Sequence, residues 1–236
     1  YGIYANGLSS GQTLAISRSL IQHNGNYGVR NRSGYYGTVR ITDSQIINNN
    51  GTGIYSYDSS VALNIVGNII SGNQAYGIQV EYVYSNQDVV VTDNVIEENG
   101  NYYAAYFSQV SGDFTFSGNS LSHSNYDYAF YFNNSNDANS SSSTDSITIT
   151  DNEFINSGSG DTVYVRDDGA ADAVITGNSI AGGSSGLKLY NYDTNVQPTI
   201  SDNTITGTSS YALYISGKIV PTVTGNRLDG NAYGMY

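Results

Sequence analysis

Gly67-Asn68-Ile69-Ile70-Ser71-Gly72-Asn73, followed by Gly77-Ile78, is one copy of a pattern that runs through the whole chain. Its Asn68 recurs as Asn94, Asn119, Asn152, Asn178, Asn203 and Asn226, and Ser19 and Ser44 hold the same place in the two earliest copies. From Ser19 onward the intervals are 25, 24, 26, 25, 33, 26, 25 and 23 residues. A period in this range, sustained along a chain, marks a solenoid: one repeat cannot bury a core alone, so repeats stack.

Apolar side chains hold fixed places in each copy. Three residues before the Asn stand Ile65, Val91, Phe116 and Ile149; five before it stand Leu63, Val89, Phe114 and Ile147. Two after it stand Ile70, Ile96, Leu121 and Phe154. The separation of two between the first pair is strand alternation. A further strand reads Gly77-Ile78-Gln79-Val80 and Gly186-Leu187-Lys188-Leu189. No helical periodicity of useful length occurs. The reading is an all-β, single-stranded parallel β-helix of about nine coils of roughly 25 residues, forming one domain over residues 1–236.

The asparagines are read as scaffold: Asn tolerates left-handed backbone, and its amide can bond to the equivalent Asn one coil on. Asn24, Asn49, Asn73, Asn99 and Asn231 make a second such column. The residue before the first column alternates, Asp43, Gly67, Asp93, Gly118, Asp151, Gly177, Asp202, Gly225. Aspartates one coil apart would repel, and a glycine in every other coil doubles their separation. Calcium is the alternative for this column, although the Gly-Gly-x-Gly-x-Asp nonapeptide of calcium-binding β-rolls is absent.

The Asn-x-Ile…Asn…Gly-Ile cores resemble the repeats of the right-handed parallel β-helix superfamily, shared by pectate lyases, alginate epimerases and periplasmic NosD-like proteins. The resemblance covers essentially the whole chain and implies a right-handed coil. It speaks to fold more than to activity, since activities vary around this scaffold. The Tyr-Gly-Phe-Asp-Pro-His motif of alginate epimerases is missing, and the carboxylate and Arg-Ile-Lys set of polygalacturonases is not present as a group.

Composition narrows the partners. Eight Lys and Arg stand against twenty Asp and Glu, a formal charge of -12, which argues against nucleic acid and anionic membrane surfaces. There is no cysteine and there are two histidines, too few for a thiolate or histidine metal centre. Only 12% of residues are charged, so Asn, Ser, Thr, Gly and Tyr build the surface, as suits a secreted prokaryotic protein of the extracellular space or cell surface. No stretch reads as a signal peptide or membrane span. The sequence opens at Tyr1-Gly2-Ile3 and closes at Tyr233-Gly234-Met235 in the same repeat phase. That suggests a segment of a longer chain or a unit that stacks end to end.

Two positions after the glycine of the Gly-Ile-x-Val strand the side chain should face outward. Tyr55, Tyr106, Tyr131, Tyr164 and Tyr214 occupy that column, and Tyr190 lies beside it. Tyr rings offer an apolar face and a polar tip, suited to sugar rings or protein contacts; they also stiffen a sheet by stacking. A second column, Tyr1, Tyr27, Tyr76, Tyr103, Tyr128, Tyr211 and Tyr233, is expected at a corner.

The 33-residue interval holds an insertion within 133–145. One enlarged loop is a natural cleft wall. On the coils that follow, stacking should set Arg166 beside Tyr190 and Tyr164 beside Lys188, with Asp167, Asp168 and Asp172 nearby. Arg166, Lys188 and Tyr164 are the catalytic candidates, as base and uronate-neutralising cation of a polysaccharide lyase. The three aspartates are the metal candidates, and no cofactor other than calcium is considered. The leading functional expectation is a non-catalytic, extracellular structural or adhesive module whose tyrosine face, the six tyrosines named, contacts polysaccharide or a cell-surface protein. A polysaccharide lyase or C5-epimerase and a subunit of an end-to-end filament are the alternatives.

Overall fold

In the computed structural model, residues 1–100, 102–124, 127–135, 144–169 and 171–236 are described, and among them all regular structure is β-strand. Residues 136–143 of the expected insertion lie outside the described residues. Each coil contributes three strands, all paired in parallel with their counterparts one coil away. The first sheet begins with Ile3–Asn6 and Val29–Arg32, the second with Thr13–Ser17 and Tyr35–Thr42, and the third with Leu20–Gln22 and Gln45–Ile47. The long strand Ile54–Val66 belongs to both the first and second sheets and joins them. Nine coils at about 4.8 Å make a column about 40 Å long.

The columns read from the sequence are the registers of the sheets. Ile41 pairs with Ile65, Ile65 with Val91, Val91 with Phe116, and Phe116 with Ile149 in the second sheet. Ile70, Ile96, Leu121 and Phe154 line up likewise in the third. These side chains are fully buried, and each such burial stabilises by roughly 1.5–3 kcal/mol. Phe107, Phe114, Phe116, Phe130, Phe132 and Phe154, all six phenylalanines of the chain, meet in the middle coils.

The first asparagine column is a continuous buried ladder. Asn94 accepts from the Asn68 backbone N–H at 2.9 Å and from its amide at 3.0 Å. Its own amide donates to the carbonyls of Ile65 and Thr92 and to the Asn119 Oδ1, each at 2.9 Å. Every buried polar group at this corner is therefore paired. The ladder crosses the 33-residue interval unbroken, with Asn119 N–H donating to Asn152 Oδ1 at 2.9 Å.

One expectation is corrected. The left-handed residue at this corner is not the asparagine but the residue before it: Asp43, Gly67, Asp93, Gly118, Asp151, Gly177, Asp202 and Gly225 all have φ between 50° and 69°. Only Gly adopts this region freely, and Asp is among the few other residues that visit it. The alternation also has a steric cause. A Cβ on Gly118 would lie 2.5 Å from Asp93 Oδ1, and one on Gly67 would lie 3.0 Å from Asp43 Oδ1. Each carboxylate leans over the next coil's turn, where only glycine leaves room.

The second ladder, Asn24–Asn49–Asn73–Asn99, stops in the middle coils. There His123 and Asn156 turn inward instead, in register with one another. Asn156 satisfies its amide on the carbonyls of Asp127, Gly160 and Asp161. His123 is 4% exposed, and neither ring nitrogen has a partner among the described residues.

Candidate functional site

The outer face of the first sheet carries the tyrosines where the spacing set them. Tyr106 pairs with Tyr131 and Tyr131 with Tyr164 along the backbone register. Their rings stack nearly parallel, at 5.3 Å and 4° for the first pair and 4.6 Å and 6° for the second. Tyr214 stacks on Tyr236 at 4.9 Å. Tyr55 stands two coils before Tyr106 with Gln79 between them, and Tyr190 lies beside Tyr164 at 5.5 Å.

The column expected at a corner joins the same surface. Tyr76, Tyr103 and Tyr128 stack on one another at 5.7 and 5.6 Å, and Tyr103 meets Tyr131 of the neighbouring column at 5.0 Å. Tyr27 does the same with Tyr55, also at 5.0 Å. The result is a ribbon two rings wide. Its hydroxyls are half-buried by their neighbours: burial raises the phenol of Tyr76 to about 12 and pushes those of Tyr55, Tyr103 and Tyr164 higher still. These phenols are neutral donors at any physiological pH.

The cluster beside the insertion is brought together as the stacking implied, with Tyr164 in register with Lys188 and Arg166 with Tyr190. The carboxylates then decide its electrostatics. Arg166 binds Asp168 through Nη2 at 2.5 Å and Nε at 2.9 Å, and Asp168 also accepts from the Tyr192 backbone N–H. Lys188 Nζ sits 3.0 Å from Asp161 Oδ2. Burial alone would lower the Lys188 pKa, but the hydrogen bond and charge of Asp161 outweigh it and hold the ammonium above its ordinary value. Asp161 is the functional neighbour the sequence reading missed; it enters from the preceding corner.

The three aspartates proposed for metal face different ways. Asp167 turns into the interior, 5% exposed, in register with Asn134 and 3.5 Å from the Thr144 hydroxyl. Desolvation raises its pKa to about 7, partly offset by backbone donors at Gly169 and Ala171. Among the described residues no hydrogen bond of good geometry reaches its Oδ2, and the carboxyl borders a small apolar cavity lined by Val165, Leu189, Val196 and Pro198. Asp168 is taken by Arg166, and exposed Asp172 accepts from the Gln197 N–H at 2.6 Å. No group of three His, Cys, Asp or Glu that could hold a metal ion occurs among the described residues.

The fold defines the class: a parallel β-helix, here with an aromatic ribbon on the outer face of its first sheet. Residues 82–236 match the family described as "Periplasmic copper-binding protein (NosD)", and residues 1–145 match the family described as "Right handed beta helix region". The chain belongs to the NosD-like right-handed parallel β-helix proteins. No curated protein matches it. No helix among the described residues is long and apolar enough to cross a membrane.

Proposed function

We propose that this coil is a non-catalytic binding module of the cell envelope or extracellular space, and that the tyrosine ribbon of its first sheet contacts polysaccharide. The observation that carries this reading is the two-column register of stacked rings, centred on Tyr106, Tyr131 and Tyr164. Because the rings stack face on face, the row turns its ring edges and hydroxyl donors outward, and these suit the C–H edges and hydroxyls of a sugar chain laid along it. The periplasmic description of the matched family supports the location.

Two alternatives fit the geometry less well. A lyase needs a base free to take a proton at neutral pH. Lys188 is held in its charged form by Asp161, Arg166 is closed by Asp168, and the Tyr164 phenol is raised by burial. Copper prefers His, Met and Cys ligands. The chain has two histidines, one methionine and no cysteine, and His23 and His123 stand four coils apart, about 19 Å. These residues do not fit a copper centre, and no copper chemistry is assigned to them.

The test is retention on immobilised polysaccharides, run for the wild type and for a Tyr106→Ala, Tyr131→Ala, Tyr164→Ala variant. Retardation of the wild type that disappears in the variant supports the reading. Retention that survives all three substitutions removes the ribbon as the receptor.

A further inference from the structure

Arg30 stands in the tyrosine column, in register with Tyr4 on one side and Tyr55 on the other. Its guanidinium carbon lies 5.3–5.7 Å from the ring centroids of Tyr1, Tyr4, Tyr27 and Tyr55. Nη1 donates to the Tyr1 hydroxyl at 2.8 Å, while Nε is buried without a partner among the described residues. Arg32 follows two residues on, on the same outer face and exposed, 5.9 Å from the Tyr57 ring. Lys188 occupies the same column as Arg30 and Arg166 the same column as Arg32, and both of these are neutralised by aspartates. Arg30 and Arg32 have no carboxylate within ion-pair distance among the described residues.

The charge pattern of the chain explains why. Residues 1–42 contain Arg18, Arg30, Arg32 and Arg40 and no Asp or Glu, a charge of +4 within a chain of -12. The nearest acidic side chain is exposed Asp58, which follows Tyr57 at the edge of this face and makes no ion pair with Arg32, and Glu81 comes one coil beyond Tyr57, bonded to the Tyr55 hydroxyl at 3.2 Å. A guanidinium fixed over rings, with its donors only partly used, is preorganised for a carboxylate. The outward edges and hydroxyls of the rings beside it are left to contact a sugar.

Resting on the polysaccharide reading above, we infer that the surface around Arg30 and Arg32 binds a carboxylate-bearing sugar residue of an acidic polysaccharide. The guanidinium groups take the carboxylate, and Tyr4, Tyr55 and Tyr57 take the ring.

The experiment is calorimetric titration with a hyaluronan octasaccharide and with its carboxyl-reduced, neutral form, at low and high salt. The wild type is expected to bind the acidic form at least tenfold more tightly at low salt. An Arg30→Gln, Arg32→Gln variant should lose that preference while still binding the neutral form, which also shows that it is folded. Arg40→Gln, on the second sheet, should keep the preference. Equal affinity of the wild type for the two forms, or a preference that persists in the double variant, overturns the inference and leaves the polysaccharide reading standing. Failure of the wild type to bind either form overturns both.

Discussion

At the scale of single residues, the corner preceding each asparagine is the most demanding position in the coil. Gly118 combines φ of 65° with a carboxylate 2.5 Å from where its Cβ would lie. Gly118→Ala should destabilise by about 1–2 kcal/mol from backbone strain, with a further loss from the clash. Asp93→Gly in the same chain should recover the clash component. Chemical denaturation of the two single variants and the double variant measures both parts; simple additivity would show that the carboxylate is not what excludes a side chain there.

Asn94 makes a second residue-scale case. Its replacement by alanine strands the buried Asn68 N–H and the Ile65 carbonyl together, at about 1–3 kcal/mol for each group. A midpoint shift of only a few tenths of a kcal/mol would mean that water replaces the ladder.

Asp167 and His123 set opposite pH dependences. The carboxyl of Asp167 is raised to about 7 from 3.8, so the folded state holds its proton more tightly than the unfolded chain. Its contribution is full below about pH 4 and is lost as pH rises through 7, on the order of 4 kcal/mol. Burial lowers the pKa of His123 instead, so its neutral form is favoured and stability is lost as pH falls below 6.5. Asp167→Asn should flatten the decline in melting temperature between pH 5 and pH 8. A decline of unchanged slope in this variant would place the titrating group elsewhere.

At the scale of elements, the sequence reading succeeded wherever the requirement repeats coil after coil. In-register stacking demands the same residue at the same place, so the Ile, Asn and Tyr columns are visible as spacing. Register also follows, which is why Tyr164 beside Lys188 and Arg166 beside Tyr190 could be read before any coordinates. What happens between strands does not repeat. Asp161 and Asp168 reach their cations from corners whose path depends on local turns, whereas Asp167 faces inward by the alternation of the strand Val163–Asp167 itself, in register with Asn134. The tyrosines expected at a corner lie on the face because their rings lean toward the next column. The same spacing puts Arg30 in the outward column but assigns it no role; what sets it and Arg32 apart, the absence of any acidic residue in residues 1–42, lies in composition rather than in spacing. At this scale Lys188→Gln should leave polysaccharide retention intact, since the ammonium is already paired with Asp161. Loss of retention in that variant would make the cation a contact.

At the scale of the whole molecule, the coil is a rigid ruler with two unlike faces and a lopsided charge. The first sheet presents stacked rings over most of its length. The second presents Thr, Ser and a few charges, with Tyr35 and Tyr36 exposed at its start. The third is narrow and ends each coil in a tight corner. Among the described residues, the first alone offers a repeating row of aromatic edges and hydroxyls, with a coil-to-coil period near that of a sugar unit, about 5 Å. Hydroxyl-radical footprinting of the tyrosines, with and without a bound polysaccharide, tests that assignment most directly. Protection of Tyr106, Tyr131 and Tyr164 with no change at Tyr35 and Tyr36 is the expected pattern. Protection centred on Tyr35 and Tyr36, with the ribbon unchanged, would contradict it.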